Sequence, residues 1–421
     1  MKSNLMTALA GATCALLATP DALAEDPHDI GVWDISGGIL VYNESGRVQA
    51  VEPIINGQKA LDTDEYINIK LTLDSLTGAS ANGAVPSTQA QTFTRPSGRG
   101  LYITPAESIP LDDTFRDTRA TLSTTWSRPS VWDTQAEWGV NLSREFDYRS
   151  IAGSTTFAKD FNNNNTTFSS GLSLSVDRNV PVGGVPVPFA TMQAAGEPTF
   201  RLRSAEHKKL VDVITGVTQI IDQFSLFQFN YSISAADGYL NDPYKVVSVV
   251  DATTGAPVFN NDLEANLPFV VYENRPGSRT KHTFYGQYKR FINEGDVLDT
   301  SYRFLTDDWG IDSHTIDIKY RKALSDRRFI QPHIRFYQQS AADFYRPFFV
   351  SGDEPQSADT TRFASADYRL GNFNAYTVGL EFGQVNKSNS WSVALEYYLQ
   401  SGKEPEESFG ELRNLALSTK H

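Results

Sequence analysis

From Leu298 onward the chain alternates. Leu298, Thr300, Tyr302 and Phe304 take turns with Asp299, Ser301, Arg303 and Leu305. His314, Ile316, Ile318 and Tyr320 then alternate with Thr315, Asp317, Lys319 and Arg321. Ile330, Pro332, Ile334 and Phe336 alternate in the same way with Gln331, His333, Arg335 and Tyr337. A period of two predicts antiparallel strands whose two faces meet different solvents. One face carries tall apolar side chains and the other full charges of both signs. A water-soluble sandwich hides its apolar face; a transmembrane barrel turns that face to lipid and lines its lumen with polar groups. The expectation is an all-β, transmembrane antiparallel β-barrel.

The same alternation recurs along most of the chain. Val32 to Tyr42 and Val48 to Ile55 read as wall strands, with a plug or a periplasmic hairpin as the alternative. Further strands are predicted over Tyr66–Leu76, Phe115–Ser127, Trp132–Ser143, Tyr148–Asp160, Thr167–Asn179, Lys209–Ile221 and Ser225–Ala235. Four more start at Thr280, and Phe373–Gln384 and Ser390–Gln400 complete the set. Long loops rich in Gly, Pro, Ser and Thr fill 77–114, 180–208, 236–279 and 342–372. Short turns at 129–131, 162–165, 222–224, 293–296, 325–328 and 385–389 fall at the opposite strand ends. Short turns on one side and long loops on the other is the parity of a bacterial barrel, turns in the periplasm and loops outside. The count is fifteen strands, whereas a single-chain bacterial barrel takes an even number. The expectation is therefore about sixteen strands, with fourteen as the alternative. A closing strand is expected beyond His421, the chain reading as truncated at its C-terminus.

Composition and the N-terminal stretch add to this picture. The mean hydropathy of -0.35 is ordinary for a soluble protein, but a polar lumen face dilutes a lipid face, so it excludes nothing. Eighteen Tyr, 25 Phe and 6 Trp in 421 residues supply the aromatic girdles of a barrel; Trp126, Trp132, Trp138, Tyr320, Trp391 and Tyr397 fall near strand ends, as girdles require. No stretch reaches the roughly 18 apolar residues that a spanning helix needs. Lys2, an apolar run from Leu5 to Ala18 and Ala22-Leu23-Ala24 predict a signal peptide over 1–24, cleaved after Ala24. The mature barrel would then occupy 25–421 and hold no thiol, because Cys14 is the only cysteine. Cleavage removes Lys2 and Asp21 and leaves the net charge at -13. That charge argues against nucleic acid as a partner, since its binding needs clustered cations. Nothing points to a cofactor: no Gly-rich phosphate loop, paired-cysteine motif or zinc-protease signature is present.

Several segments resemble one family. They are Leu76-Thr77-Gly78-Ala79-Ser80, Gln91-Thr92-Phe93-Thr94-Arg95-Pro96, Gly238-Tyr239-Leu240-Asn241-Asp242-Pro243-Tyr244-Lys245 and Tyr272-Glu273-Asn274-Arg275-Pro276, with Asp307 to His314 and Gln339 to Tyr345. The chain is similar, over nearly its whole mature length, to the domain of unknown function 3570 family of Gram-negative outer-membrane β-barrel proteins. The resemblance implies a barrel in the cell outer membrane and brings no established activity. It implies envelope redox or metal-handling proteins as partners, beside outer-membrane lipid. The one departure is the family's closing aromatic strand, absent from this chain.

The lumen face is expected to carry Asp299, Arg303, Asp317, Lys319, Arg321, His333, Arg335, Glu381 and Glu396. If tight turns centre the hairpins, Asp299 lies opposite Lys319, Asp317 opposite Arg335 and Lys319 opposite His333. Such a set reads as a cross-strand charge ladder, each pair contributing about 0.2–1 kcal/mol, or as a selectivity ring along a solute path. Asp307, Asp308 and Asp312 gather at one outer hairpin tip and are candidate divalent-cation ligands, or turn-capping residues. Asp312-Ser313-His314 suggests a hydrolase, but adjacent strand residues point to opposite faces, so Ser313 and His314 cannot form a nucleophile and base. Phe344, Tyr345, Phe348 and Phe349 crowd one outer loop, where they cap the barrel or meet a ligand. The favoured function is a monomeric pore or transport conduit for a small solute, metal or redox carrier. A non-conducting barrel that anchors envelope partners is the alternative, and an integral membrane hydrolase a remote third.

Overall fold

In a computed structural model the protein is described over residues 30–44, 47–197, 201–259, 267–293, 295–386 and 389–402. The expected signal peptide and the chain after Gly402 lie outside these residues. The strands are β1 (Trp33–Asn43), β2 (Val48–Asp62), β3 (Glu65–Ala81), β4 (Gln91–Thr94), β5 (Leu101–Thr104), β6 (Leu111–Ser130), β7 (Thr134–Arg144) and β8 (Tyr148–Phe161). There follow β9 (Thr166–Asn179), β10 (Val185–Pro186), β11 (Arg201–Arg203), β12 (Glu206–Asp222), β13 (Ser225–Gly238), β14 (Val246–Val250) and β15 (Val270–Tyr272). The last are β16 (Ser278–Phe291), β17 (Val297–Asp307), β18 (Asp312–Ser325), β19 (Arg328–Gln339), β20 (Phe348–Val350), β21 (Phe373–Val385) and β22 (Ser390–Gly402). A single 3-10 turn, Tyr368–Leu370, is the only helical element among the described residues.

Fifteen of these strands make one antiparallel sheet in the order β1-β2-β3-β6-β7-β8-β9-β12-β13-β16-β17-β18-β19-β21-β22. The first hairpin belongs to this wall. Register agrees with the turn-centred expectation: Asp299 faces Lys319, Asp317 faces Arg335, and Lys319 faces His333. The wall strands run further than their alternation suggested. β3 continues to Ala81 and β6 begins at Leu111, so the first long loop shrinks to 82–110. The others become 180–205, 239–277 and 340–372.

The apolar face of the wall looks outward. Ile39, Ile151, Leu174, Val378 and Leu395 are all more than half exposed, Leu395 at 81%. No folded aqueous surface would present so continuous a greasy band, which is the surface of a membrane barrel. The two edge strands, β1 and β22, both run from the inner end toward the outer end. No ladder joins them among the described residues. The polar face of the sheet carries its buried charges, Arg119, Asp177, Lys208, Asp212 and His333 among them.

The long loops are not loose. They carry three small sheets, β4-β5, β10-β11 and β15-β14-β20, and these assemble over the outer end. At their centre β14 is buried on both faces, Val247, Ser248, Val249 and Val250 all at 0% exposure.

Candidate functional site

The cap is built like a small water-soluble core. Phe189 from the second long loop, Val247, Val249 and Val271 from the third, and Phe349 and Ala364 from the fourth pack as one cluster. Phe93 and Tyr102 of the first loop join Met192, Val246 and Val270 in another. All four long loops therefore share their apolar side chains, and none can leave without opening the others. The crowded aromatics of the fourth loop face inward: Phe344 meets Trp309 edge-on at 5.0 Å, Phe349 meets Phe189 at 6.1 Å, and Phe348 packs on Val85 and Val250. Burial pushes the Tyr345 hydroxyl up to about 12.

Beneath this core lies a buried charge network. Arg275 donates to Glu273 at 2.9 Å and to Asp367 at 3.0 Å. Arg369 donates through Nε to Asp367 Oδ1 at 2.8 Å and through Nη2 to Asp242 Oδ2 at 3.1 Å. The Asp242 amide and the Ser365 hydroxyl both donate to Glu273, each at 2.5 Å. Burial works against the charge of Asp367, yet Arg369, Lys245 and Arg275 hold its carboxyl well below the ordinary carboxylate range. The same acids hold the Arg369 guanidinium above its ordinary value despite burial. Removing one member of a buried, hydrogen-bonded set leaves its partner charged in a dry site, which costs about 3–5 kcal/mol. The network is a latch between the third and fourth loops.

The cap grips the rim on several sides. Lys245 Nζ donates to the Ala81 carbonyl at the end of β3. Tyr244 donates to Asp147 in the β7–β8 turn at 2.5 Å, and burial pushes both groups up. Trp309 Nε1 donates to the Ser278 carbonyl of β16 at 2.8 Å. Gln339 of β19 donates to the Arg369 and Gly371 carbonyls at 2.9 and 2.8 Å. The Arg47 guanidinium lies 4.7 Å over the Tyr368 ring. Contacts from β2 round to β19 mean that the loops cover the mouth.

The expected lumen residues all sit on the inward face, and four of them form a chain. Arg335 Nε donates to Asp317 at 2.6 Å, His333 Nε2 lies 3.0 Å from the same carboxylate oxygen, and His333 Nδ1 lies 2.7 Å from Glu396. Glu396 reaches His333 across β21 because Gly379 stands between them; a Cβ there would lie 2.9 Å from Glu396 Cγ. The other five are placed singly. Asp299 turns from Lys319 to Gln287, at 2.7 Å, and Lys289, at 3.4 Å. Lys319 has no ion pair among the described residues. Arg303 lies 5.6 Å over the Tyr285 ring, Arg321 3.7 Å over that of Phe329, and Glu381 accepts from Gln331 at 2.9 Å.

The outer-tip acids act locally. Asp307 accepts from the Trp309 and Ile311 amides at 3.0 and 2.9 Å and from Arg279 Nε at 2.8 Å, while Asp308 accepts from the Thr280 amide at 2.9 Å. Asp312 is exposed at the start of β18. Ser313 is buried on the inner face, whereas His314 points outward, 2.7 Å from the Tyr302 hydroxyl. Among the described residues, the carboxylates that do converge are Asp117, Glu145 and Asp147, with oxygens within 4.8 Å of one another. Glu145 is paired with Arg119.

The latch and its rim contacts lie largely in the segments that carry the family resemblance: Gly238–Lys245 holds Asp242 and Lys245, and Tyr272–Pro276 holds Glu273 and Arg275. The family described as "Protein of unknown function (DUF3570)" matches residues 6–421. This chain belongs to the DUF3570 family. No curated protein matches it. Among solved structures it is similar to a mutant of the ferric enterobactin receptor PfeA from Pseudomonas aeruginosa, at TM-score 0.46 and 10% identity, over 88% of this chain and 53% of that one. It is similar to the siderophore receptor PirA from Acinetobacter baumannii, at TM-score 0.44 and 7% identity, over 90% and 54%. A third is the ferric-catecholate import receptor Fiu from E. coli K12, at TM-score 0.40 and 8% identity, over 91% and 65%. The DUF3570 chain thus spans about half the length of the first of these receptors.

Proposed function

We propose that the protein is an outer-membrane conduit, closed at its outer mouth by its own loops, for a small solute, metal or redox carrier. The observation that carries this reading is the inward face below the cap. It is lined with half-exposed charges such as Arg335 and Glu396, where a barrel serving only as an anchor needs no wet, charged interior. The cap sets the resting state closed, and passage requires the Asp367–Arg369 latch to release. In planar bilayers the full-length protein should conduct little, while Arg369→Ala or Asp367→Ala should raise the open time. Silence from all three, with the variants still inserted, would contradict the conduit.

One observation favours a second reading. The cap core, with Val249 and Val270 at 0% exposure, is as dry as a rigid domain. A permanently shut barrel that anchors envelope proteins would look the same, and crosslinking in intact envelopes would then capture one stable partner while no latch variant conducts.

A further inference from the structure

On the outward face, β7, β8, β9 and β12 end at the outer rim in a lateral row of three arginines and a histidine. Arg144 faces Arg149, Arg149 faces Arg178, and Arg178 faces His207, each a direct cross-strand partner. All four side chains are exposed, and none has an ion pair among the described residues. No carboxylate stands on the outward face of these four strands. The nearest acid on that face is Asp237 of β13, which lies opposite Lys209 rather than the row.

Like charges directly opposite one another destabilise an antiparallel pair, and here the repulsion repeats across two successive ladders, Arg144–Arg149 and Arg149–Arg178. Three guanidinium groups in line, unpaired among the described residues, suit an anion from outside the chain. The position says which. Directly below the three arginines the outward positions are Leu142, Ile151 and Val176, exposed by 43%, 63% and 52%, so the arginines crown the apolar band; below His207 stands Lys209, opposite Val176. Phe168 and Arg178 are the first and last exposed residues on the outward face of β9. The ten steps between them, at about 3.3 Å each and tilted by about 40°, span about 25 Å of membrane height, the thickness of a barrel's apolar band. The row therefore sits at the headgroup level of the outer leaflet.

We infer that Arg144, Arg149, Arg178 and His207 form a seat for the phosphate groups of an outer-leaflet glycolipid, with its acyl chains lying on Leu142, Ile151 and Val176. Guanidinium groups suit the task, because they bind phosphate through paired, charge-assisted hydrogen bonds. The inference rests on the lipid-facing reading of the wall and gives that wall a preferred lipid.

The test uses full-length protein in phosphatidylcholine nanodiscs with or without bis-phosphorylated lipid A, beside the same lipid stripped of phosphate and inorganic phosphate alone. Bis-phosphorylated lipid A should bind and raise Tm; the stripped lipid and free phosphate should not. The double variant R149Q/R178Q should lose at least about tenfold in affinity, and without the lipid it should be no less stable than wild type, since the repulsion is relieved. R144Q, with the rest of the row intact, gives a smaller loss and serves if the double variant does not assemble. Equal binding of the phosphorylated and stripped lipids, unchanged affinity in the variants, or equal stabilisation by free phosphate would each overturn the assignment. Protein that fails to enter plain phosphatidylcholine discs would instead contradict the lipid-facing wall itself.

Discussion

The wall and the cap are both antiparallel for the most part, and they obey opposite solvent rules. On β9 of the wall, Leu172, Leu174 and Val176 point outward and lie exposed, while Ser169 and Asp177 are buried on the inner side. On β14 of the cap, Val246, Val247, Val249 and Val250 are all within 1% of full burial, whichever way they point. The wall separates two media, so each strand needs one greasy and one polar face. The cap is surrounded by its own loops and by water, so its central strand is apolar on both sides and its polar groups must find partners inside.

The largest break in that contrast should come from the latch. Arg369→Ala leaves Asp367 and Asp242 buried without their shared cation and should destabilise the cap by about 3–5 kcal/mol. Limited proteolysis should then cut within 239–277 and 340–372 while the wall stays folded. Next comes a charge on each side of one wall strand. Leu174→Arg puts a cation in lipid and should cost about 2–4 kcal/mol near the bilayer midplane, read from denaturant titration in liposomes. Ser173→Arg, one residue away on the polar side, should cost less than half as much.

Acid should act on the cap before the wall. The carboxyl of Asp367 titrates well below its ordinary value of 3.8 in the folded cap. A depressed value means that its contribution is complete above the unfolded pKa and is lost as pH falls through the folded one. Cap protection from protease should therefore hold at neutral pH and begin to fail only below about 4. Asp367→Asn should remove that step. The smallest effect belongs to the lumen ladder: Asp299→Asn loosens a partly exposed contact with Lys289 and should change stability by less than about 1 kcal/mol.

These differences also explain what could be read from the residues alone. The wall was legible because Leu298 to Tyr337 repeats one simple alternation, and its turns fixed the register that sets Asp317 opposite Arg335. The cap was harder. Val246-Val247-Ser248-Val249-Val250 has no period, and a short continuous apolar run between turns is the mark of a strand buried on both faces; that signal was present in what read as a loop. The latch left no periodic trace, since Asp242, Glu273 and Asp367 are far apart in the chain, and the segments holding the first two stand out only through the family resemblance. Asp299 shows a further limit. Strand register places it opposite Lys319, but rotamers along the ladder, which register does not dictate, carry its carboxylate to Gln287 and Lys289.

A lipid-facing barrel requires that lipid meet the even-numbered face of β9 and water or protein the other. Spin labels on single cysteines at Phe168, Leu172, Leu174 and Val176, and at the intervening Ser169, Ser173 and Ser175, would decide it in reconstituted membranes. The even positions should collide with oxygen dissolved in the lipid and the odd ones should not. Even positions shielded from both oxygen and aqueous relaxant would mean that these side chains pack against protein, and the lipid-facing barrel would be wrong.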